Sequence, residues 1–387
     1  MTVEALWEAR QALIQNPTPE GLKALATQIF AVQQPVAGER LVLDVMAAHQ
    51  ENLPLLLAGA DVLSTYSTRY DIVVAVLAKV LAAMPQLHGL KVFLASALVG
   101  KGDLGAGLHI FADIMQNHPE LHTQACEHLS VALLEAGYAR EGHAVLEAWF
   151  REGRPATASL LNNMGCVLQR LNRSQEALPW YRQALEMNPT NPTFCTGYAT
   201  ALFKAGYFAE GAPYFRQRES LVEDSVSGYL ALPRLQKGAP LQGRKIVLYQ
   251  EQGLGDALQF IRYLPDMVAQ GAQVLLVVSS TLVRLFGLSF PGVQVTTEKD
   301  CVNYSGYDAV LPIPDLPFVM GLQKLADIPS SVGYLRADRG DVARFAVQLP
   351  PTRPRIGFVW AGRRRTKAMD ASTDQRRSTS ADPMLKA

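Results

Sequence analysis

This sequence has few cysteines, a net charge close to zero and no long apolar run. The 387 residues include four cysteines, none of them in CxxC spacing: Cys126, Cys166, Cys195 and Cys301. Neither a disulfide framework nor a zinc site is therefore indicated, and the simplest interpretation is a reducing compartment. The formal net charge of +1 argues against nucleic acid or a charged membrane surface as a partner of the whole chain.

No run of apolar residues approaches the roughly 20 that are needed to cross a bilayer. The N-terminal stretch MTVEALWEARQALIQN has early acidic residues and lacks the apolar core of a signal peptide. We therefore predict a cytoplasmic protein with no transmembrane segment and no nucleic-acid partner.

Histidine is unevenly distributed, because all seven histidines fall at or before His143. Acid–base chemistry in the C-terminal half must then rely on groups other than imidazole. His118, His122 and Cys126 are spaced four residues apart, as three metal ligands on one helical stripe would be. Pro119 breaks this register, so we favour packing or surface positions for these side chains and predict no metal site.

Apolar residues make up 49% of the chain, and its length allows two or three domains. The segment Ala158–Asn191 predicts a helix–turn–helix unit of about 34 residues. Small residues stand where two helices would cross, bulky residues stand beside them, and a proline ends the second helix. The positions concerned are Leu161, Gly165, Leu168, Ala177, Tyr181, Ala184 and Pro189.

The same pattern recurs about 34 residues later at Ala199, Leu202, Gly211 and Phe215. Leu133–Tyr138 echoes Leu202–Tyr207, and Leu98–Asp103 is a further echo. These residues resemble the tetratricopeptide (TPR) family, and we predict four units in residues 88–220. Residues 1–87 are either degenerate repeats or a capping bundle. The resemblance implies an all-α superhelix whose concave groove binds a protein or a peptide.

Residues 221–243 are rich in glycine, proline and serine and read as a linker. Residues 244–352 then predict an α/β half, which opens with a strand, a glycine turn and a helix over Lys245–Tyr263. Strands separated by helical crossovers form a parallel sheet, so we predict a Rossmann-like domain. The expected strands are 246–249, 273–279, 293–297 and 307–313, and the expected later helices are 281–288 and 316–326.

The glycine turn contains Gly253 and Gly255, followed by Asp256. It lacks the third glycine of the dinucleotide fingerprint and the Gly-Lys-Ser/Thr of a P-loop. The two glycines allow a ligand to approach the backbone closely. Alternatively, they only make a tight turn, and Asp256 caps the helix. The residues alone leave both interpretations open.

The stretch Glu251–Pro265, together with Pro354–Gly362, resembles the C-terminal region of bacterial TPR proteins that carry a glycosyltransferase module. That module has the two-Rossmann GT-B architecture and is related to the ADP-heptose heptosyltransferases. The resemblance implies that residues 244–352 are its first half, that Asp256 is the catalytic base and that a nucleotide sugar is the donor substrate, with no cofactor. It implies substrate-binding roles for Gln252, Gly253, Gly255, Gln259, Arg262, Trp360 and Gly362.

Residues 353–387 depart from that family. Ile356–Trp360 resembles the first strand of the second, donor-binding half, but from residue 363 onward seven basic and three acidic residues are accompanied by almost no apolar ones. Such a tail cannot build a core. We therefore expect a chain shortened from a longer ancestor, with little or no sugar transfer. The alternatives are a non-catalytic scaffold that binds proteins through its repeats, and simple nucleotide binding at the glycine turn.

Overall fold

A computed structural model describes residues 8, 11–31, 35–221, 228–251, 253–297, 299–300, 303–329, 333–352, 354–355 and 359. The chain forms two compact units, one within Met1–Arg173 and the other within Ser174–Ile356. None of the helices in these residues combines the length and the apolarity that a membrane span requires.

The first unit is built from helices. They are α1 Pro19–Ala31, α2 Pro35–Ala48, α3 Leu53–Tyr66, α4 Tyr70–Ala83, α5 Gly89–Lys101, α6 Leu104–Asn117, α7 His122–Glu135, α8 Ala139–Arg151 and α9 Ala158–Arg170, with a 3₁₀ turn at Pro119–Leu121.

The second unit begins with three more helices and continues as an α/β segment. Its helices are α10 Ser174–Met187, α11 Pro192–Lys204, α12 Phe208–Phe215, α13 Leu254–Phe260, α14 Leu264–Ala269, α15 Ser280–Ser289, α16 Leu316–Val319 and α17 Arg339–Gln348. Its strands are β1 Lys245–Tyr249, β2 Gln273–Val277, β3 Gln294–Thr296 and β4 Ala309–Pro312. Short 3₁₀ turns lie at Arg216–Leu221, Gly228–Ala231, Ile261–Tyr263, Ile313–Asp315 and Leu325–Asp327.

Helix starts recur with a period of about 34 residues. The first helix of each pair begins at Gly89, His122, Ala158 and Pro192, and the second begins at Leu104, Ala139, Ser174 and Phe208. The predicted helical repeats are therefore confirmed. Helices α1 to α4 keep the same spacing, since they begin at Pro19, Pro35, Leu53 and Tyr70. That spacing favours degenerate repeats over a capping bundle for the N-terminal part.

One turn geometry closes the first helix of every pair from α5 onward. A residue with left-handed backbone follows that helix, at Gly102 (φ 97°), Gly137 (φ 93°), Asn172 (φ 62°) and Gly206 (φ 91°). The next amide donates a hydrogen bond to the carbonyl five residues earlier: Asp103 to Leu98, Tyr138 to Leu133, Arg173 to Leu168 and Tyr207 to Leu202, at 2.8 to 2.9 Å. This is the Schellman motif, which satisfies the last carbonyls of a helix and reverses the chain at a set angle.

The second helix of each pair has a small residue at one predicted position, and close helix packing explains it. A Cβ atom on Gly107 would lie 2.7 Å from the Val99 side chain and 2.9 Å from the Ala95 carbonyl oxygen, so α6 approaches α5 closely there. A Cβ on Gly142, one repeat later, would meet Val167 at an ordinary 3.5 Å. Most of the predicted packing residues are buried, whereas Phe215 is half-buried and Pro189 is exposed. The buried ones are Leu98, Leu133, Leu161, Gly165, Leu168, Ala177, Tyr181, Ala184, Ala199, Leu202 and Gly211.

The predicted parallel sheet is confirmed. In the described residues it has four strands in the order β3-β2-β1-β4, and all three pairings are parallel. Ile246 of β1 aligns with Val274 of β2 on one side and with Ala309 of β4 on the other. The central strand is apolar on both faces because both faces are covered.

Alternate strand residues reach two separate cores. Ile246 and Leu248 join helix residues such as Leu264 and Phe286 on one face. Val247 and Tyr249 pack on the other face with aromatic side chains from the linker and a later loop, Tyr229 and Tyr304. The linker also shields the edge of β4, because the Leu235 amide donates to the Val310 carbonyl at 2.9 Å and the Val310 amide donates to the Pro233 carbonyl at 3.0 Å.

One local prediction was wrong. The helix expected over 316–326 ends at Val319, because Gly321 adopts a left-handed backbone (φ 88°) and the Leu322 amide closes the turn on the Pro317 carbonyl at 2.8 Å. For the glycine turn, whose role was left open, the alternative of an Asp256 cap is not what α13 shows. Gly253 is its N-cap residue, no side chain bonds the cap, and Asp256 lies in the first turn.

The recurring left-handed turn yields a test of the repeat geometry. Gly137→Ala places a Cβ at a left-handed position and is expected to lower the free energy of unfolding by about 1–2 kcal/mol. Gly105→Ala is the matched control, because Gly105 lies in helical backbone with no described atom within 4 Å of the new Cβ. It is expected to be neutral or stabilising by about 0.5–1 kcal/mol. Urea unfolding followed by circular dichroism measures both, and equal effects would contradict the assignment.

Candidate functional site

A groove of about 1140 Å³ runs along the helices of the first unit. Residues of α3, α4, α5 and α7 line most of it, with Ser159 and Asn163 of α9 at one end and Lys23 of α1 at the other. Its volume exceeds the range of about 300–1000 Å³ that is usual for small-molecule pockets. The space therefore fits an extended chain segment better than a compact ligand.

The floor of the groove carries exposed apolar side chains. Phe93 of α5 is 42% exposed and Val131 of α7 is 38% exposed. The Phe93 ring meets the His128 ring edge-on, with centroids 5.0 Å apart. Burial lowers the pKa of His128, although the neighbouring Glu127 acts in the opposite direction. The imidazole is therefore neutral at pH 7 and adds to the apolar floor.

Two carboxylates of α7, Glu127 and Glu135, border this floor. The Thr157 hydroxyl donates to Glu127 at 2.6 Å, which holds that side chain in place. The side-chain amide of Asn163 donates to the backbone carbonyl oxygen of Glu127 at 3.2 Å and to the Ser130 hydroxyl at 3.0 Å. These bonds connect α7 to α9.

Other charges of the groove are paired close by. Lys23 contacts Asp61 at 2.6 Å, and Arg69 contacts Asp71 at 3.1 Å. Burial raises the pKa of Tyr70, and the Glu135 carboxylate raises it further. The lining residues include four carboxylates and two lysines, and two of the carboxylates are neutralised by these ion pairs.

A buried cluster of charges occupies the carboxyl edge of the sheet in the second unit. Arg218 donates two hydrogen bonds to Glu251, from Nε at 2.8 Å and from Nη2 at 2.7 Å. Its Nη1 lies 2.7 Å from Oδ1 of Asp315. These three side chains are 1–4% exposed. Burial by itself lowers the pKa of Arg218, but the Asp315 and Glu251 carboxylates outweigh it and raise the pKa above its ordinary value.

Two further arginines reach the same aspartate. Arg216 Nε lies 3.4 Å from Asp315, and Arg234 also contacts its carboxylate. Glu251 follows β1 and Asp315 follows β4. The chain adds β2 on one side of β1 and β4 on the other, and the cluster lies at this change of direction. Open parallel sheets bind ligands at such a switch point. Here Arg218, from the segment after α12, occupies this switch point.

Sequence reasoning missed this cluster. Arg218 is 33 positions from Glu251 and still farther from Asp315 along the chain, and no local pattern links them. The available signal was weak: each of the two acidic residues follows a predicted strand within three residues.

The predicted site residues are partly brought together. Gly253, Gly255 and Asp256 lie at the start of α13, beyond the carboxyl end of β1, and Asp256 is half-buried. Gln259 is exposed on the same helix. Arg262 instead packs over the Tyr334 ring, 5.1 Å from its centroid, and donates to the Gln259 carbonyl oxygen at 3.0 Å. The remaining predicted residues, Gln252, Trp360 and Gly362, lie outside the described part of the chain.

The spaced residues His118, His122 and Cys126 serve separate contacts. The His118 ring stacks on His88 with centroids 4.3 Å apart, and His122 lies 2.8 Å from an Arg154 nitrogen. Cys126 is fully buried, and burial raises its pKa to about 12. Among the described residues, no group of three potential ligands stands close enough to hold a metal ion.

The helix pairs, their period and the shared turn from α5 to α12 are those of TPR-type repeats. In agreement, residues 138–190 match the family model described as tetratricopeptide repeat. A curated relative is Protein FlbA of Caulobacter vibrioides, which is 24% identical over 303 aligned residues covering 55% of this chain and 50% of that protein. The chain thus spans about half the length of the curated relative it matches.

Solved TPR structures are also similar to this chain. TTC0263, a thermophilic TPR protein of Thermus thermophilus, shares 19% identity over 48% of this chain and 100% of its own, with a TM-score of 0.34. A tetratricopeptide repeat protein from Parabacteroides merdae shares 13% identity over 58% of this chain and 88% of its own, with a TM-score of 0.40.

The buried cluster predicts a large stability effect. Asp315→Asn leaves three arginines short of their shared carboxylate, and removing one partner of a buried ion pair costs about 3–5 kcal/mol. The exposed Asp266→Asn on α14 is the control and is expected to change stability by less than about 0.5 kcal/mol. Urea unfolding of each variant measures the difference, and a small effect of Asp315→Asn would show that the cluster is not structural.

Proposed function

We propose that this protein is a TPR-type interaction scaffold that holds an extended peptide segment of a partner in the groove of its first unit. The observation that carries the proposal is the exposure of Phe93 and Val131, two apolar side chains that both line the groove. Soluble proteins cover such side chains with a partner when they line a continuous concavity. Exposed aromatic anchors of this kind supply most of the binding energy of many interfaces.

The rigidity of the groove supports the same function. Its walls are helices tied together by buried contacts and by the hydrogen bonds of Asn163, so a bound segment pays little for reorganising the site. Cys126, Cys166 and Cys195 form no disulfide, which is typical of a reducing compartment, and we propose the cytoplasm as the place of the interaction.

The scaffold function predicts a single aromatic hot spot. Phe93→Ala is expected to weaken the best binder from a library of short random peptides at least about tenfold in Kd, because an exposed aromatic anchor is lost. Leu288→Ala on α15 is the matched control, since Leu288 is 40% exposed and lies in the other unit. Fluorescence anisotropy gives Kd for both. Binding that is equally sensitive to both variants, or to neither, would contradict the proposal.

A second candidate is sugar transfer by a Rossmann-like, GT-B-related α/β segment, with Asp256 as the base that takes a proton from an acceptor hydroxyl. What supports it is the pair of glycines ahead of that carboxylate. Neither has a left-handed backbone, and no described atom lies within 4 Å of a Cβ placed on Gly255. The fold therefore gives no reason for glycine at 255, whereas close approach of a ligand would.

The buried arginine cluster makes this candidate the weaker of the two. A nucleotide bound at the switch point between β1 and β4 would meet Arg218 already paired with Glu251 and Asp315. Arginines committed to buried carboxylates are costly to redirect to a phosphate. At the carboxyl edge of the sheet, the glycine turn is the place that remains for a ligand. A ligand there also suits the simpler alternative of nucleotide binding without transfer.

The second candidate predicts that a millimolar nucleotide sugar from a panel raises the unfolding temperature through preferential binding to the native state. It further predicts slow donor hydrolysis that falls about 100-fold or more in Asp256→Asn. Asp266→Asn, an exposed carboxylate of α14, should leave both unchanged. If no donor stabilises the protein and no donor is hydrolysed, sugar transfer is excluded. If a donor stabilises the protein but is not hydrolysed, nucleotide binding without transfer is the function that remains.

A further inference from the structure

A slot between two aromatic rings lies on the groove face of α5. Phe93, Ala97 and Gly100 are three or four residues apart and all line the groove, so they share one helix face. A Cβ atom on Gly100 would lie 2.8 Å from the Tyr70 ring, so that ring covers the glycine. Ala97 therefore lies between the Phe93 ring and the Tyr70 ring along the face of the helix.

The width of this slot suits one flat side chain. Phe93 and Gly100 are seven residues apart, which is about 10 Å along the helix axis at about 1.5 Å per residue. Carbon atoms in contact lie about 3.5 to 4 Å apart, so a ring with a neighbour on each side needs about 7 to 8 Å. The slot therefore has room for one ring between the two that flank it.

Helix α7 completes the slot. Ala132 occupies in α7 the position that Ala97 occupies in α5, and both alanines line the groove. Ala97 is buried and Ala132 is half-buried, so they form a floor of small side chains. The His128 ring meets the Phe93 ring edge-on and extends that aromatic wall.

The charges of the groove do not select a charged occupant. Asp61 and Asp71 are paired with basic side chains, and Glu127 accepts a hydrogen bond from the Thr157 hydroxyl. Glu135 also interacts within the chain. A cationic occupant would lose hydration without gaining a carboxylate that lacks a partner, and an anionic occupant would meet four lining carboxylates.

We propose that the slot takes one uncharged aromatic side chain from an extended segment of a partner protein, held between Phe93 and Tyr70 over the two alanines. This rests on the peptide-binding function proposed above and specifies its partner. Aromatic rings gain stability from edge-to-face and offset contacts with other rings, beyond the area that they bury. The flanking rings favour an aromatic side chain over an aliphatic one, and the paired charges favour a neutral side chain over a charged one.

The test uses the full chain and the fluorescein-labelled peptide Ser-Leu-Ser-Phe-Ser-Leu-Ser. Three comparison peptides differ from it only in having alanine, lysine or glutamate in place of phenylalanine. Fluorescence anisotropy is expected to show at least about fivefold tighter binding of the phenylalanine peptide than of any comparison. Its Kd is expected to change less than about twofold between about 50 mM and 500 mM salt, because no ion pair is made.

Protein variants locate the effect. Ala132→Leu is expected to raise Kd for the phenylalanine peptide at least about fivefold, because the larger side chain fills the slot. Ala144→Leu, at an exposed position of α8 outside the groove lining, is the matched control. Tyr70→Leu removes one flanking ring and is expected to raise Kd for the phenylalanine peptide about threefold while leaving the alanine peptide unchanged. Circular dichroism confirms that each variant is folded.

Several results would overturn the aromatic slot. They are tighter binding of the lysine or glutamate peptide, equal binding of all four peptides, no binding of the phenylalanine peptide, and a Kd that neither Ala132→Leu nor Tyr70→Leu changes. Sedimentation of the chain alone tests another occupant, since a dimer that Phe93→Ala dissociates would show that a second copy covers the groove.

The outcomes also separate this inference from the function beneath it. If the slot fails but library peptides bind in a Phe93-dependent way, the groove function stands and only its specificity is wrong. If no peptide depends on Phe93, both proposals fail.

Discussion

The left-handed residue that ends the first helix of each pair from α5 onward is the constraint on which those repeats depend. It returns the chain at one angle each time, with the following amide bonded to the carbonyl five residues back. Because the angle repeats, successive first helices present equivalent faces. Three of these helices, α5, α7 and α9, line the groove of the first unit, together with α3 and α4, which end without a left-handed residue.

The buried charge cluster constrains the second unit in a different way. Desolvating Arg218, Glu251 and Asp315 is unfavourable, and only their close pairing offsets that cost. These ion pairs hold the segment after α12 against the carboxyl edge of the sheet. It also bears on function, since it fills the place where a parallel sheet usually meets its ligand.

Overall charge is a poor guide to the surface of this protein. A net charge of +1 argues only against a uniformly charged partner, such as nucleic acid along the whole molecule. Local pairing decides the character of each surface. At the groove, Lys23 neutralises Asp61 and the neighbouring Arg69 neutralises Asp71, while Phe93 and Val131 form an exposed apolar floor.

The sequence by itself determined the elements, because their signals are local or periodic: small and large residues about 34 apart, and apolar runs covered on both faces of a parallel sheet. It also located Gly253, Gly255 and Asp256 at the end of β1. Only tertiary structure decided that α13 begins before Asp256, that Arg262 packs on Tyr334, and that α7 turns Glu127, Val131 and Glu135 into one groove. The contacts of Arg218 could not be predicted from the sequence for the same physical reason. Ion pairs between distant segments depend on how the chain is packed, and they leave no periodic pattern in the sequence.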